Sequence, residues 1–89
     1  MNKEELKRRT DEALNNMRRI RDEIRVDLHL ASMDLKDRWT ELEPRLAQAE
    51  KLAEEISDTS RKAVEEVVAK AKELRNAMKG QRNGKRPHA

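Results

Sequence analysis

Residues 24–30 read IRVDLHL, and apolar and polar side chains alternate along the whole stretch. Alternation of this kind is typical of a β-strand, but a strand needs turn residues at its ends and a second strand to pair with. The neighbouring sequence offers neither. On a helix the four apolar residues divide between two faces, with Ile24 and Leu28 on one and Val26 and Leu30 on the other. The stretch therefore predicts a helix that is apolar on two sides.

The first of these faces belongs to an apolar stripe that follows the helical repeat through the first half of the chain. Asn2, with Glu5 three residues later, predicts the start of this helix as a capping pair. Thr10 and Arg21 are polar members of the stripe. A stripe of about ten turns is typical of the core-facing side of a helix and argues against disorder, although 44% of the residues are charged. Its apolar members are Leu6, Ala13, Leu14, Met17, Ile20, Ile24, Leu28, Ala31, Leu35, Trp39 and Leu42.

The second half of the chain repeats this pattern and predicts a second helix. Ser60 interrupts the stripe, and Val68 widens one side of it. Gly80 is expected to end the helix as a left-handed cap. The predicted fold class is all-α, an antiparallel helical hairpin or coiled coil. The apolar members of the second stripe are Leu46, Ala49, Leu52, Ala53, Ile56, Ala63, Val64, Val67, Ala71, Leu74 and Met78.

The position of the turn is open between three alternatives. Pro44 lacks the N–H of an interior helical bond and disfavours a helical conformation in the residue before it. A break there gives a hairpin domain over residues 1–79, with arms of about 3–40 and 44–79. The second alternative is a long helix with its turn near SDTS, residues 57–60, where cap-forming side chains are concentrated. The third is one long kinked helix, because the stripe keeps its phase across Pro44.

A two-helix hairpin covers each apolar stripe on one side only, so this chain is expected to self-associate into a four-helix bundle. Val26, Leu30 and Met33, at i, i+4 and i+7 on the second apolar face, are the candidate oligomer interface. Residues 26–56 are acidic in balance and both flanking segments are basic, so the tip of the hairpin and its open end would carry opposite charges and favour an antiparallel dimer. The predicted function is a non-enzymatic structural or adaptor coiled coil that binds itself and a protein partner.

Several classes of protein are disfavoured by what the sequence lacks. It has no cysteine, so it offers neither a disulfide nor a thiolate metal site. There is no run of about 18 apolar residues and no secretory signal at the start, so a cytoplasmic location without a membrane span is expected. His29 has no metal-binding residue at helical spacing, and no nucleophile–base constellation occurs, so neither catalysis nor a cofactor is predicted. The acidic face of Asp34, Asp37 and Glu41 is expected to dock basic side chains rather than a metal ion.

The segment GQRNGKRPHA, residues 80–89, has no acidic side chain and no apolar pattern, and it is predicted to be disordered. Arg82, Lys85 and Arg86 account for the formal net charge of +3, since the charges of the preceding residues cancel, and they are the candidate phosphate contacts. They support an alternative function, in which the basic ends and tail bind nucleic acid. A further alternative places the apolar stripes on a lipid or granule surface.

The segment RRIRDEIRVDLHLASMDLKDRWTELEPRLAQAEKLAEEISDTSRKAVEEVV resembles a loose group of small bacterial coiled-coil proteins of unknown function, some of them associated with stress responses. In that group a long charged helix, with an aromatic residue followed by leucines, gives way to a break containing serine and then to a second helix. The resemblance covers about residues 12–75, and it implies a break at 57–60 but no activity. The chain departs from the group at Ala63 and Val64, where a tryptophan often follows the serine.

Overall fold

The structure is a computed structural model that describes the backbone of residues 2–84 and the side chains of residues 2–80. It contains helix α1 (Lys3–Asp27), a short 3₁₀ turn (Leu28–Leu30), helix α2 (Met33–Leu52) and helix α3 (Asp58–Gly84). The described residues form no strand, and the helices pack against one another. The prediction of an all-α fold is confirmed.

Helix α1 begins where the sequence predicts. The side chain of Asn2 accepts a hydrogen bond from the backbone N–H of Glu5 at 2.7 Å, which satisfies one of the free donors of the first turn. Glu4 and Glu5 also place negative charge at the positive end of the helix dipole.

The end of α1 differs from the prediction of a helix that continues to residue 40. The chain leaves the helix after Asp27, and Ala31 is extended at φ −79° and ψ 155°. Ser32 then starts α2, with its Oγ accepting from the backbone N–H of Leu35 at 3.3 Å. Residues 28–32 therefore form a turn in a segment without glycine or proline, because the packing of α2 overrides the local preference for helix.

Pro44 does not mark the turn, so the predicted arms of about 3–40 and 44–79 are wrong. It lies in the middle of α2 on the exposed side of the helix. Proline has no N–H to donate to the carbonyl of Thr40, but Thr40 and Pro44 are both exposed, and water on this side of the helix reduces the cost of an interior proline.

The second turn covers residues 53–57 and therefore ends at Ser57, the first residue of the alternative position 57–60. Ser57 Oγ accepts from the backbone N–H of Ser60 at 3.1 Å and lies 2.8 Å from Ser60 Oγ. The cap-forming residues of SDTS thus start α3 rather than form the turn itself.

The end of α3 also differs from the prediction. The helix continues through Gly80 to Gly84, and no described glycine has a positive φ, so Gly80 is not a left-handed cap. The prediction of a disordered tail is wrong for residues 80–84, whereas residues 85–89 lie outside the described part of the chain.

Ion pairs define the relative direction of α1 and α2. Arg18 of α1 contacts Glu50, near the end of α2, at 3.3 Å, whereas Arg25, further along α1, contacts Glu43, earlier in α2, at 3.0 Å. The residue number on α2 falls as the number on α1 rises, so the two helices are antiparallel.

Helix α3 packs against both of the other helices, and its backbone approaches α1 most extensively. Since α3 follows α2 after a short turn and returns along it, α1 and α3 run in the same direction, and Arg75 of α3 contacts Glu23 of α1 at 2.9 Å. The bundle therefore runs up, down and up. The turn at residues 28–32 and the last turns of α3 share one end of the bundle, which we call the turn end.

This topology corrects the expected separation of charge. A two-helix hairpin would place the acidic middle of the chain far from both basic ends. In the three-helix bundle α1 and α3 run in the same direction, so the C-terminal part of α3 lies at the turn end and the N-terminal basic segment lies at the opposite end.

The core lies between the three helices, and the inward face of each helix follows a spacing of three and four residues. Leu52 was predicted in the core but is 44% exposed, because the inward face of α2 continues from Ala49 to Ala53 and leaves Leu52 at its edge. The buried apolar residues are Ala13, Met17, Ile20, Ile24, Leu35, Trp39, Leu42, Leu46, Ala49, Ala53, Val64, Val68, Ala71, Leu74 and Met78.

Other predicted core residues lie at the borders of these faces. Val67 is half-buried because Val64 and Val68 occupy the inward face of α3. The remaining half-buried members of the stripes are Leu6, Leu14, Leu28, Ala31, Ile56 and Ala63.

Two buried polar residues in the stripes are satisfied locally. Thr10 Oγ1 donates to the carbonyl of Leu6 at 2.9 Å, and Ser60 uses Ser57 as described above. Since a third helix covers the two stripes within one chain, the fold does not need a second chain to complete its core.

Candidate interaction surface

Three large apolar side chains remain exposed at the turn end. Val26 is 67% exposed, Leu30 61% and Met33 72%, and we call this set the end patch. The three residues stand on the end of α1, on the 3₁₀ turn and on the start of α2. The structure therefore places the predicted contact residues around one turn rather than along one helix.

The surroundings of the end patch are charged. Asp34 and Asp37 are exposed on the first two turns of α2, and His29 is exposed on the turn itself. Arg25 is paired with Glu43, so its charge is partly compensated. The end patch is thus an apolar surface with a polar rim, which is the usual composition of a protein contact site.

Ion pairs beside this end connect the helices. Arg75 Nη1 donates to Glu23 Oε1 at 2.9 Å, and this hydrogen bond, with the positive charges of Arg75, Lys79 and Arg19, lowers the pKa of the Glu23 carboxyl from its ordinary value of 4.5. Nε of Arg75 is buried without a hydrogen-bond partner. The pair holds α3 in register with α1.

The lowered pKa of Glu23 predicts that this carboxylate contributes to the loss of stability in acid. A carboxyl whose pKa is lowered by folding stabilises the fold fully when the pH is above its pKa in the unfolded chain, here about 4.5. This contribution is lost as the pH falls through the lower pKa of the folded state. The free energy of unfolding of Glu23→Gln, measured by urea denaturation between pH 2 and 7, is therefore expected to fall less below about pH 4.5 than that of the unmodified chain.

The matched control for this measurement is Glu66→Gln, since Glu66 is a glutamate on a helix, is exposed and makes no ion pair within the described residues. It should keep the acid dependence of the unmodified chain. Identical curves for Glu23→Gln and the unmodified chain would contradict the role of the Glu23–Arg75 pair.

A second charged cluster stabilises the start of α3. Arg61 contacts Asp58 at 2.7 Å and Glu65 at 2.8 Å, and these bonds lower the pKa of Asp58 and raise that of Arg61. Lys62 also contacts Asp58 at 3.3 Å. The negative charge of Asp58 lies in the first turn of the helix, where the dipole favours it, so this cluster is a structural feature of the helix start.

The grooves between the helices are shallow and lined by charged side chains. The groove between α2 and α3 has a volume of about 460 Å³, and the groove between α1 and the end of α2 about 450 Å³. A third, of about 620 Å³, lies beside the exposed Leu52. The residues that line these three grooves include no serine, threonine, cysteine or histidine.

Asp34, Asp37 and Glu41 are not brought together as a ligand set, and no group of three His, Cys, Asp or Glu side chains in the described part of the chain could hold a metal ion. None of the helices, as far as they are described, is long and apolar enough to cross a membrane.

The predicted phosphate contacts are not defined by the structure. The backbone of Arg82 belongs to α3, but its side chain lies outside the described residues, as do Lys85 and Arg86. Sequence reasoning missed the exposure of Leu52, and a spacing of Leu46, Ala49 and Ala53 is the signal that could have placed it at the edge of the buried face.

Comparison of the chain with known protein families, curated proteins and solved structures found no match. The resemblance to small bacterial coiled-coil proteins therefore stays a prediction.

Proposed function

We propose that the protein is a non-enzymatic structural or adaptor module that acts through protein–protein contacts, first of all with itself, and that the end patch is its contact surface. The exposure of Val26, Leu30 and Met33 carries this proposal. The bundle has a complete internal core. The small size of the bundle is therefore not the reason that these three side chains are exposed.

The size of the end patch sets the expected strength of the contact. Burying the exposed part of each side chain contributes on the order of 1–2 kcal/mol. A symmetric contact between two copies buries six such side chains, but association costs about 4–15 kcal/mol in lost freedom of motion. The self-association is therefore expected to be weak, with a dissociation constant of about micromolar or higher.

Replacing Leu30 by Glu tests the proposal. A carboxylate in the centre of the end patch would have to lose its hydration on contact, so Leu30→Glu is expected to weaken association at least about tenfold, which corresponds to 1.4 kcal/mol. The molar mass, measured by light scattering over a range of concentrations, should rise for the unmodified chain and stay close to that of a monomer for the variant.

Leu52→Glu is the matched control, because Leu52 is also an exposed leucine and lies at the opposite end of the bundle. It should associate like the unmodified chain, and circular dichroism should show the same helicity for all three proteins. A mass that does not depend on concentration in the unmodified chain, or an equal loss of association in both variants, would reject the end patch as the self-association surface.

A further inference from the structure

The contact between α2 and α3 differs in its charges from the contacts that α1 makes. Arg18 and Arg25 of α1 are paired with acidic side chains of α2, and Glu23 of α1 is paired with Arg75 of α3. Within the described residues no ion pair joins α2 to α3. The groove between these two helices is nevertheless lined mainly by charged side chains. They are Arg38, Glu41, Arg45, Lys70 and Glu73.

The charges that line this groove are not compensated within the bundle. All of them are exposed, and none forms an ion pair in the described part of the chain. Glu41 and Arg45, at i and i+4 on α2, have the spacing of a helical ion pair but do not form one. These side chains are therefore available to groups of opposite charge on another molecule.

The charges follow a definite order along the groove. Helix α2 starts at the turn end and α3 runs back toward it, so Glu41 and Glu73 lie nearer the turn end than Arg45 and Lys70. The groove therefore has a negative half toward the turn end and a positive half away from it. Each of the two helices contributes one charge to each half.

Apolar side chains lie between the charges. Leu42 and Leu74 line the groove as its buried floor. On α3, Val67 and Ala77 lie three residues from Lys70 and Leu74, on the same side of the helix, and both are half-buried. An apolar centre with charged side chains around it is typical of a protein contact site.

We propose that this groove binds a second copy of the chain, packed antiparallel about a two-fold axis that crosses the groove between its negative and positive halves. The axis passes midway between Glu41 and Arg45 on α2 and midway between Lys70 and Glu73 on α3. Glu41 of each copy then faces Arg45 of the other copy, and Lys70 faces Glu73, so each pair forms twice.

The order of the charges selects this arrangement. A parallel copy would bring the two negative halves together, and like charges that face each other destabilise a contact. A different partner would need the same order of charges in reverse, whereas a second copy carries that order itself. Arg38 meets no like charge in the antiparallel arrangement, because the uncharged Gln48 lies at the same distance on the other side of the axis.

The groove contact goes beyond the proposed function and does not rest on it. The groove runs between α2 and α3, whereas the end patch stands at the turn end of the bundle. One chain can therefore use both surfaces at the same time. Two different self-complementary contacts on each chain extend an assembly beyond a dimer, with copies joined both end to end and side by side.

The charged character of the groove sets the conditions of the test. Exposed ion pairs contribute little individually and are screened by salt, so the groove contact is expected to be weaker than the end-patch contact. It should be detected mainly at low ionic strength, because the screening length is about 30 Å at 10 mM salt and about 8 Å at 150 mM. The measurements are made on Leu30→Glu, in which the end-patch contact is weakened.

Glu41→Arg and Arg45→Glu, each added to Leu30→Glu, test the facing pair. Either substitution places like charges opposite each other twice in the dimer. The dissociation constant, measured by sedimentation equilibrium at about 10 mM salt, should therefore rise about tenfold. Net charge does not explain a loss in both variants, since Glu41→Arg makes the chain more positive and Arg45→Glu makes it less positive. The two substitutions together restore opposite charges between the copies and should restore the association.

Arg8→Glu and Glu12→Arg are the matched controls. Arg8 and Glu12 have the same i, i+4 spacing and are exposed, but they lie on α1, outside the groove. In Leu30→Glu these substitutions should leave the dissociation constant unchanged. Circular dichroism should show the same helicity for every variant, which confirms that the bundle is intact.

Each outcome supports or overturns a defined part of the proposal. If Leu30→Glu stays monomeric at about 10 mM salt, the groove contact is overturned and the end patch is unaffected. Association that neither Glu41→Arg nor Arg45→Glu weakens would also overturn the groove contact. A loss in both single variants that the combined variant does not reverse would overturn the antiparallel arrangement. If Leu30→Glu associates as strongly as the unmodified chain and Glu41→Arg weakens it, the groove contact stands and the end patch fails.

Discussion

Replacing Ile20 by Ala is expected to lower the free energy of unfolding by about 2–5 kcal/mol, one of the two largest effects of a single substitution that we predict. Ile20 is fully buried in the middle of α1, between Met17 and Ile24, which are also fully buried. The smaller side chain loses the transfer free energy of the removed methyl and methylene groups and leaves a cavity that the packed helices fill only in part.

The total stability of the bundle makes this loss easy to detect. A chain of 89 residues has a free energy of unfolding of about 4–13 kcal/mol at the usual 0.05–0.15 kcal/mol per residue. Ile20→Ala therefore removes a large share of it. Urea denaturation can be followed by circular dichroism and by the fluorescence of Trp39, which is the single tryptophan and is buried in the core.

Val26→Ala is the matched control. Val26 is a β-branched apolar residue in the same helix, but it is 67% exposed, so its truncation is expected to change the free energy of unfolding by less than about 0.5 kcal/mol. The measurement should be made at a concentration at which the chain is monomeric, so that self-association does not contribute. Similar losses for the two variants would mean that the inward face of α1 is assigned wrongly.

The buried faces of the helices could be predicted because each repeats many times. Met17, Ile20, Ile24, Leu35, Trp39 and Leu42 were placed in the core from their spacing alone, and all six are buried. A stripe of this length can be recognised even when one of its members, such as Thr10, is polar. A long pattern therefore predicts helices and their inward sides even where the number of helices is wrong.

The turns could not be predicted from local signals. Pro44 is the strongest helix breaker in the described part of the chain, yet α2 passes through it, on the exposed side of the helix. Residues 28–32 contain no breaker, yet the chain turns there, because α2 and α3 can then cover the apolar stripe of α1. The continuation of α2 through Pro44 and the turn at residues 28–32 both depend on packing between distant segments, which the local sequence does not encode.

The contact surface was predicted in part. The spacing of Val26, Leu30 and Met33 indicated a second apolar face, and the structure shows these residues exposed. Their role as an interface stays a prediction. Their position at one end of the bundle could not be foreseen, because it follows from the turn at residues 28–32.

Replacing Pro44 by Ala is the second large effect, and it is expected to stabilise the protein. Proline in the interior of a helix costs about 3 kcal/mol relative to alanine. Alanine restores the N–H that the carbonyl of Thr40 lacks and relieves the clash with it. The more flexible unfolded chain offsets about 0.4–1 kcal/mol of this gain. A net increase of about 2 kcal/mol in the free energy of unfolding is expected, or a rise of about 8–16 °C in Tm for a domain of this size.

Pro44→Gly is the comparison variant for Pro44→Ala. Glycine also restores the N–H, but it is about 1 kcal/mol less favourable than alanine inside a helix. The expected order of stability is therefore alanine, then glycine, then the unmodified chain, and the helicity of α2 should fall in the same order. Since Pro44 is exposed and lies in the middle of α2, away from the turn at residues 28–32, neither variant should alter the core or the end patch. If Pro44→Ala lowers the Tm instead, α2 must bend at this position to pack on α3, and the straight helix that alanine favours would fit the bundle less well.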